Sequence, residues 1–302
     1  MKNLISVIIT TYKRDQEYLK RAIDSVLNQT YEHTELIVID DNGLNTEYQK
    51  NVFNLIESYY SNNSINYFPN EINQGAQVSR NNGLKKASGD YISFLDDDDE
   101  WLPDKLKKQI LLFENTKKKK LGLVYCDYNV ITESQEEIDI KKVKVPEYED
   151  QTAFRELLRI NYIASTSFPL IKRECFEKIG GFDTTLVASQ DYDMWIRIMK
   201  KYEISAINEP LVNYYKHDEE RITSNPEKKE HAEKVFLKKH FNDISKDRKA
   251  LGEKYKKIGI YLMKQNKNSE ARQYFKKSIL NEPIGIRVYK YYIQTIYQSV
   301  VS

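Results

Sequence analysis

The chain has 302 residues, 40% hydrophobic and 30% charged, which excludes a disordered polymer and allows one large domain with a smaller companion. No apolar run reaches membrane-span length, the N-terminus lacks a signal-peptide pattern, and Cys126 and Cys175 are too few for a disulfide framework, so the composition predicts a protein of a reducing cytoplasm. The formal charge of +2 conceals an asymmetry: residues Pro226 to Ser302 carry 18 Lys+Arg against 8 Asp+Glu, and the rest carries 29 against 37. A basic tail on an acidic body reads as a second module for an anionic surface, such as the inner membrane leaflet, or for a partner enzyme. Its aromatics fall at helical core spacing and form no stacking platform, which argues against nucleic acid.

In chain order, the first hundred residues alternate strand and helix signals. Leu4–Thr10 is a buried-type strand, and Gln16–Asn28 is a helix with Leu19, Ile23, Val26 and Leu27 on one face. A short strand, Leu36–Ile39, ends at Asp40-Asp41-Asn42-Gly43. A helix over Thr46–Tyr60, a strand over Ile65–Phe68, a helix over Ala76–Ala87 and a strand over Tyr91–Leu95 follow. Such alternation predicts a mostly parallel sheet flanked by helices, with ligands beyond the carboxyl ends of its strands. Three polar clusters fall at such ends: Thr10 to Arg14, Asp40 to Asn42, and Asp96 to Asp99.

The middle region, Trp101 to about Thr223, mixes helices (Pro103–Asn115, Thr152–Ile160, Asp191–Lys201) with strands (Leu121–Asp127, Ser167–Ile171, Leu211–Tyr215). Pro103 is placed as a helix-start residue. The last segment is helical throughout. Tyr255, Ile258-Gly259, Leu262, Ala271, Phe275, Ser278 and Pro283 fit one unit of the ~34-residue tetratricopeptide pattern, although a plain helical hairpin used for packing is the favoured reading. A lone repeat cannot bury its own face, so neighbouring helices or the rest of the chain must cover it.

Four consecutive aspartates, Asp96 to Asp99, follow directly on the Tyr91–Leu95 strand. Crowded carboxylates repel, and oxygen-only ligands suit a hard ion such as Mg²⁺ or Mn²⁺ that also holds a substrate phosphate. The same residues could form a solvated acidic turn. An EF-hand is excluded, because Trp101 stands where that loop needs glycine.

Taken together, these motifs resemble the family 2 glycosyltransferases of the GT-A fold over roughly residues 4–220. The resemblance is carried, in order, by Ser6-Val7-Ile8-Ile9-Thr10-Thr11-Tyr12-Lys13-Arg14, Ser25-Val26-Leu27-Asn28-Gln29-Thr30-Tyr31 and Glu35 to Gly43. Asn73-Gln74-Gly75-Ala76 with Ser79-Arg80-Asn81-Asn82-Gly83, the acidic run, Gly180-Gly181-Phe182-Asp183 and Ser189-Gln190-Asp191-Tyr192-Asp193-Met194-Trp195 complete it. The chain departs from the family pattern at Thr10, where proline is common, at Lys13, where asparagine is common, and at Gln190, where glutamate is common.

The resemblance implies a Rossmann-like, mostly parallel α/β sheet over residues 1–224, with nucleotide binding in 1–100 and acceptor binding in 101–224. A basic helical extension would follow over 225–302. It implies an inverting, metal-dependent transfer of a sugar from a UDP-sugar to a glycan, lipid-linked or glycoprotein hydroxyl. Thr10, Tyr12 and Arg14 would line the nucleotide pocket, and Asp41, with Asp40, would accept from the uracil N–H. Arg80 would reach the sugar-phosphate region. Asp98 would bind Mn²⁺ or Mg²⁺, Asp97 would contact ribose or ion, Asp96 would support the site, and His217 would complete the metal's ligands or touch the diphosphate. Asp191 would be the general base, with Asp193 capping or pairing locally and Trp195 under the acceptor or in the core.

Rival readings are a nucleotidyltransferase, a nicotinamide dehydrogenase and a degenerate transferase serving as a scaffold. The first wants a glycine-rich loop after the first strand, which Thr10 to Arg14 lacks, and the second wants G-x-G-x-x-G, which follows no strand. The third conflicts with intact Asp98 and Asp191. The basic tail is also a candidate dimer element.

Overall fold

A computed structural model describes residues 3–59, 65–133, 138–216 and 225–301. The chain divides into two compact units: residues 1–147, 162–184 and 197–217 form the first, and residues 148–161, 185–196 and 218–302 the second.

The first unit is built on one sheet. Its opening strands are continuous apolar runs, the pattern of strands buried on both faces: β1 (Ile5–Thr11), β2 (Thr34–Asp40) and β4 (Tyr91–Asp96), with β3 (Ile65–Pro69) at the edge. Pro69 is tolerated there, where a missing N–H breaks no inner ladder. These four strands run parallel in the order β3-β2-β1-β4, so the strand order reverses at β1. The parallel α/β core expected from strand-helix alternation is therefore present.

Helix α1 (Gln16–Leu27) starts where Asp15 accepts from the Glu17 N–H at 2.9 Å, and it buries Leu19, Ala22, Ile23 and Val26. In α2 (Glu47–Glu57) the Thr46 hydroxyl accepts from the Gln49 N–H at 3.1 Å. Helix α3 (Ala76–Lys86) begins after Gly75 at φ +86° and lies so close to the sheet that a methyl group at Gly83 would strike Ile8.

Beyond β4 the sheet becomes mixed. Strand β5 (Glu100–Trp101) precedes α4 (Lys105–Asn115), and β6 (Leu121–Glu133) pairs antiparallel with β7 (Ile138–Val143). Among the described residues the sheet has nine strands in the order β3-β2-β1-β4-β8-β6-β9-β5, with β8 (Leu170–Lys172), β9 (Glu203–Lys216) and β7 paired to β6. A short α6 (Arg173–Ile179) follows β8.

Three expectations shift. Pro103 lies before the N-cap Asp104 and outside α4. The strand expected over Ser167–Ile171 begins only at Leu170, because the hydroxyls before it bond to the acidic loop. The strand expected at Leu211 begins at Glu203, since its polar stretch Asn208-Glu209-Pro210 crosses the register shift opposite Cys126 and Asp127. Both cysteines are buried and free.

The second unit contains α5 (Asp150–Arg159), the first part of α7 (Gln190–Met199), α8 (Pro226–Ile244), α9 (Arg248–Lys264), α10 (Asn268–Asn281) and α11 (Ile286–Val301). The tetratricopeptide-like positions build its core: Ile258, Leu262, Ala271, Phe275 and Ser278 are buried, and the Ser278 hydroxyl donates to the Gly252 carbonyl at 2.8 Å. Among the described residues no helix is long and apolar enough to cross a membrane.

Candidate active site

Strand register brings the polar strand ends of the first unit together. Thr10 stands opposite Asp96 on one side and Ile39 on the other, and Thr11 stands opposite Asp40. One residue further, the Asp41 N–H donates to the Thr11 carbonyl at 2.9 Å. The turn after β1 is held by the Lys13 N–H, which donates to Asn42 Oδ1 at 2.7 Å and leaves Lys13 at φ +49°. Tyr12 remains 39% exposed, its ring presented to solvent beside the Lys13 ammonium.

The acidic run is organised by two arginines. Arg14 forks across two carboxylates, with Nε 2.9 Å from Asp97 and Nη2 3.0 Å from Asp98. Arg80, from α3, reaches Asp96 at 2.7 Å. Asp96 also accepts from the Thr166 and Ser165 hydroxyls, each at 3.0 Å. Burial works against its charge, yet Arg80 and the two hydroxyls outweigh it and hold its pKa below the ordinary value. Asp97 is different: burial pushes it up to about 6, with Asp98 adding repulsion against the pull of Arg14. Asp99 is fully buried and raised well above an ordinary carboxyl, by burial first and then by Asp96 and Asp98. It accepts from the Ser167 hydroxyl at 2.6 Å.

Asp40 and Asp41 stand at the end of β2, and both are buried. Asp40 accepts from the Asn42 N–H and side-chain amide and from the Tyr67 hydroxyl. Burial raises its pKa despite those donors. Asp41 accepts from the Gln74 N–H at 2.9 Å, the Gly75 N–H at 2.8 Å and the Asn70 amide at 2.7 Å. It therefore fixes the loop entering α3, the helix that carries Arg80. With two donors on Oδ1 and one on Oδ2, Asp41 keeps acceptor capacity on Oδ2.

The donor chemistry suits a hard divalent ion: the candidate ligands among the described residues, Asp96 and Asp98, offer carboxylate oxygens, and the Asp98 side chain keeps a quarter of its surface exposed. Among the described residues no three His, Cys, Asp or Glu side chains are gathered closely enough to hold an ion alone. One or two carboxylates sharing an ion with substrate phosphates is the arrangement these residues fit. His217, the third sequence candidate, lies outside the described residues.

Asp191 belongs to the second unit. It sits in the first turn of α7, where the helix dipole favours a carboxylate, and it accepts from the Asn161 amide at 3.2 Å. Gln190 donates to the Leu186 carbonyl at 3.5 Å. Asp193 pairs with Lys239 at 2.6 Å and His240 at 2.9 Å, and Trp195 is completely buried.

Sequence reasoning missed Ser165, Thr166 and Ser167, which bond Asp96 and Asp99 from about seventy residues away. It also missed Arg21, whose guanidinium donates to the Asp98 carbonyl at 3.1 Å and stacks 3.4 Å over the Tyr215 ring. The one available signal was the hydroxyl run itself, set between Ile163 and Phe168 where an apolar strand start would be usual.

A parallel sheet whose reversal point carries a carboxylate-guanidinium cluster, continued by a mixed half, is the GT-A arrangement. The chain belongs to glycosyl transferase family 2, whose family model matches residues 6–180. It is 30% identical over 244 residues to an uncharacterized glycosyltransferase of Methanocaldococcus jannaschii, covering 80% of this chain and 81% of the relative. It is 31% identical over 224 residues to the UDP-Glc:alpha-D-GlcNAc-diphosphoundecaprenol beta-1,3-glucosyltransferase WfgD of Escherichia coli, covering 74% and 80%. The crystal structure of S. aureus TarS 1-349 shares its fold, with a TM-score of 0.63 and 18% identity over 94% of this chain and 82% of the other. The protein is thus a glycosyltransferase.

Proposed function

We propose that this glycosyltransferase takes a sugar from a UDP-sugar and passes it, with inversion, to a hydroxyl of a lipid-linked or glycan acceptor of a bacterial surface polysaccharide. The observation that carries the reading is the Arg14 fork on Asp97 and Asp98 beside the Arg80–Asp96 pair, at the reversal point of a parallel sheet. Support for the donor comes from WfgD, named for UDP-Glc, and from a TarS structure solved in complex with UDP-GlcNAc (TM-score 0.58, 18% identity). WfgD is also named for a diphosphoundecaprenol-linked acceptor, which favours the lipid-linked class here.

In this reading Tyr12 offers its ring to the base, and Thr10 lines the pocket floor. Asp41 accepts the uracil N–H on its remaining Oδ2 capacity, and Asp40 stiffens the turn beneath it. Asp98, with Asp96 or Asp97, would hold Mn²⁺ or Mg²⁺. Such an ion supplies neutralisation of diphosphate charge. Arg14 and Arg80 orient the diphosphate and keep their carboxylates in register. Asp191 removes the proton of the acceptor hydroxyl while that oxygen bonds to the anomeric carbon. The anomeric C–O bond breaks on the opposite face, and its electron pair leaves with UDP.

The test is UDP release from a panel of UDP-sugars, with Mn²⁺, with Mg²⁺ and with chelator, each with and without acceptor glycolipids. Asp98→Asn should remove metal-stimulated release, and Asp191→Asn should remove transfer while leaving UDP-sugar binding near wild type. Full transfer by both variants would overturn the site assignment.

A further inference from the structure

Helix α11 has two apolar faces, and only one is used. Val288 and Thr295 are buried, and Tyr291 stacks on the Phe275 ring at 5.9 Å, so this inner face packs on the hairpin of α9 and α10. The opposite face carries Ile286, Tyr289, Ile293, Ile296 and Tyr297, with exposures of 83%, 39%, 63%, 40% and 69%. A surface helix ordinarily presents polar side chains there. A ridge of three isoleucines and two tyrosines far exceeds the scattered apolar residues of an ordinary surface.

The charges on α11 itself are of one sign. From Pro283 to the end of the chain there is no acidic residue, and the two charged side chains, Arg287 and Lys290, lie exposed along α11. The tetratricopeptide-like stretch before it adds to a surplus of 18 Lys+Arg over 8 Asp+Glu from Pro226 onward. Apolar ridge, flanking cations and amphipathic tyrosines are the three components of a helix lying in a membrane interface. A second copy of the chain is a poorer occupant. A two-fold contact would bring Arg287 and Lys290 of both copies to one ridge, with no acidic residue of α11 to answer them.

We infer that the outer face of α11 is a docking surface for an anionic lipid bilayer. The isoleucines enter the acyl boundary, the tyrosines sit at headgroup level, and Arg287 and Lys290 meet lipid phosphates. The inference stands apart from the donor-site reading, because it rests only on the C-terminal helices.

The full-length protein should co-sediment with vesicles of phosphatidylcholine mixed with phosphatidylglycerol, and far less with phosphatidylcholine alone. Added salt should weaken the binding. The double variant Ile286→Ser with Ile293→Ser should lower partitioning by about tenfold or more, each residue losing its share of buried apolar area. Arg287→Gln with Lys290→Gln should lower it by several-fold and remove most of its salt sensitivity. These positions are exposed, so circular dichroism and the melting temperature should match wild type; if the serine variant fails to fold, the glutamine variant carries the test. Absent vesicle binding, or binding unchanged in both variants, overturns the inference. So does a lipid-free dimer, seen by sedimentation equilibrium, that either variant dissolves.

Discussion

His240 Nε2 lies 2.9 Å from Asp193 Oδ1, and both side chains are almost wholly buried within the second unit. Lys239 reaches the same oxygen at 2.6 Å, so α8 grips the first turn of α7 two residues from Asp191. Tyr192, between the two aspartates, is held by α5, α8 and α9. Its hydroxyl bonds to the Leu157 carbonyl and to Lys254, and its ring stacks on Phe236 at 4.6 Å. Removing one partner of a buried carboxylate leaves the other incompletely satisfied, at about 1–3 kcal/mol. His240→Ala should therefore lower the melting temperature by several degrees. If Asp191 is the base, kcat should also fall while KM for the donor stays near wild type, and His240→Asn should recover part of the kcat. A variant that loses stability but keeps kcat would confine His240 to folding.

Lys105 yields the pH prediction. It is fully buried in α4, 2.9 Å from Gln109 Oε1 and 3.9 Å over the Trp101 ring, and burial lowers its pKa to about 7. The unfolded chain then binds more protons than the folded one between pH 7 and the ordinary lysine value, so the stability attached to Lys105 rises with pH across that window. The gain should be about 2 kcal/mol between pH 7 and pH 9, at ~1.4 kcal/mol per unit with partial titration at each end. Lys105→Met should be the more stable form near pH 7 and should lack this gain. Urea midpoints of both proteins at the two pH values measure it, and parallel slopes would refute the assignment.

The legible part of this molecule is the part written locally. Runs such as Ser6 to Thr11 and Leu36 to Asp40 announce buried parallel strands, and polar residues directly after them mark the ligand end of the sheet. The Arg14 fork was half legible, since the arginine and the aspartates stand at adjacent strand ends, but no pattern in the sequence states that one guanidinium spans two carboxylates. What could not be read are partners distant in the chain. Ser167 and Asp99 are 68 residues apart, and Asp193 and His240 are 47 apart. A lone serine or histidine carries no local signal of the buried acid it serves. The same holds for Asp41, whose carboxylate fastens the start of α3 from more than thirty residues away.

Gly259 sets helix propensity against packing. Alanine is the better helix former by about 1 kcal/mol. Yet a Cβ at Gly259 would stand 2.6 Å from Phe275 Cε1, and that ring is fully buried and stacked on Tyr291. Overpacking costs about 1–3 kcal/mol, so it outweighs the propensity gain. Gly259→Ala should be destabilising by up to about 2 kcal/mol, read as a lower urea midpoint at unchanged slope. A stabilised variant would mean that α9 and α10 can part at no cost.

Ser167 joins the hidden loop to the site. Its hydroxyl donates to Asp99 at 2.6 Å, and the same oxygen accepts the Asp96 N–H at 3.1 Å. Asp99, buried and raised well above an ordinary carboxyl, would lose its hydroxyl partner in Ser167→Ala, and the Asp96 N–H would lose its acceptor. Losing both bonds, one of them at a buried carboxyl, implies a loss of roughly 1–3 kcal/mol. Asp96 anchors Arg80, so the loosened loop should also raise KM for the UDP-sugar by several-fold. Ser167→Thr keeps the hydroxyl and should recover most of the KM. If Ser167→Ala instead melts and binds donor like wild type, the acidic run holds its shape through Arg14 and Arg80 without the hydroxyl loop.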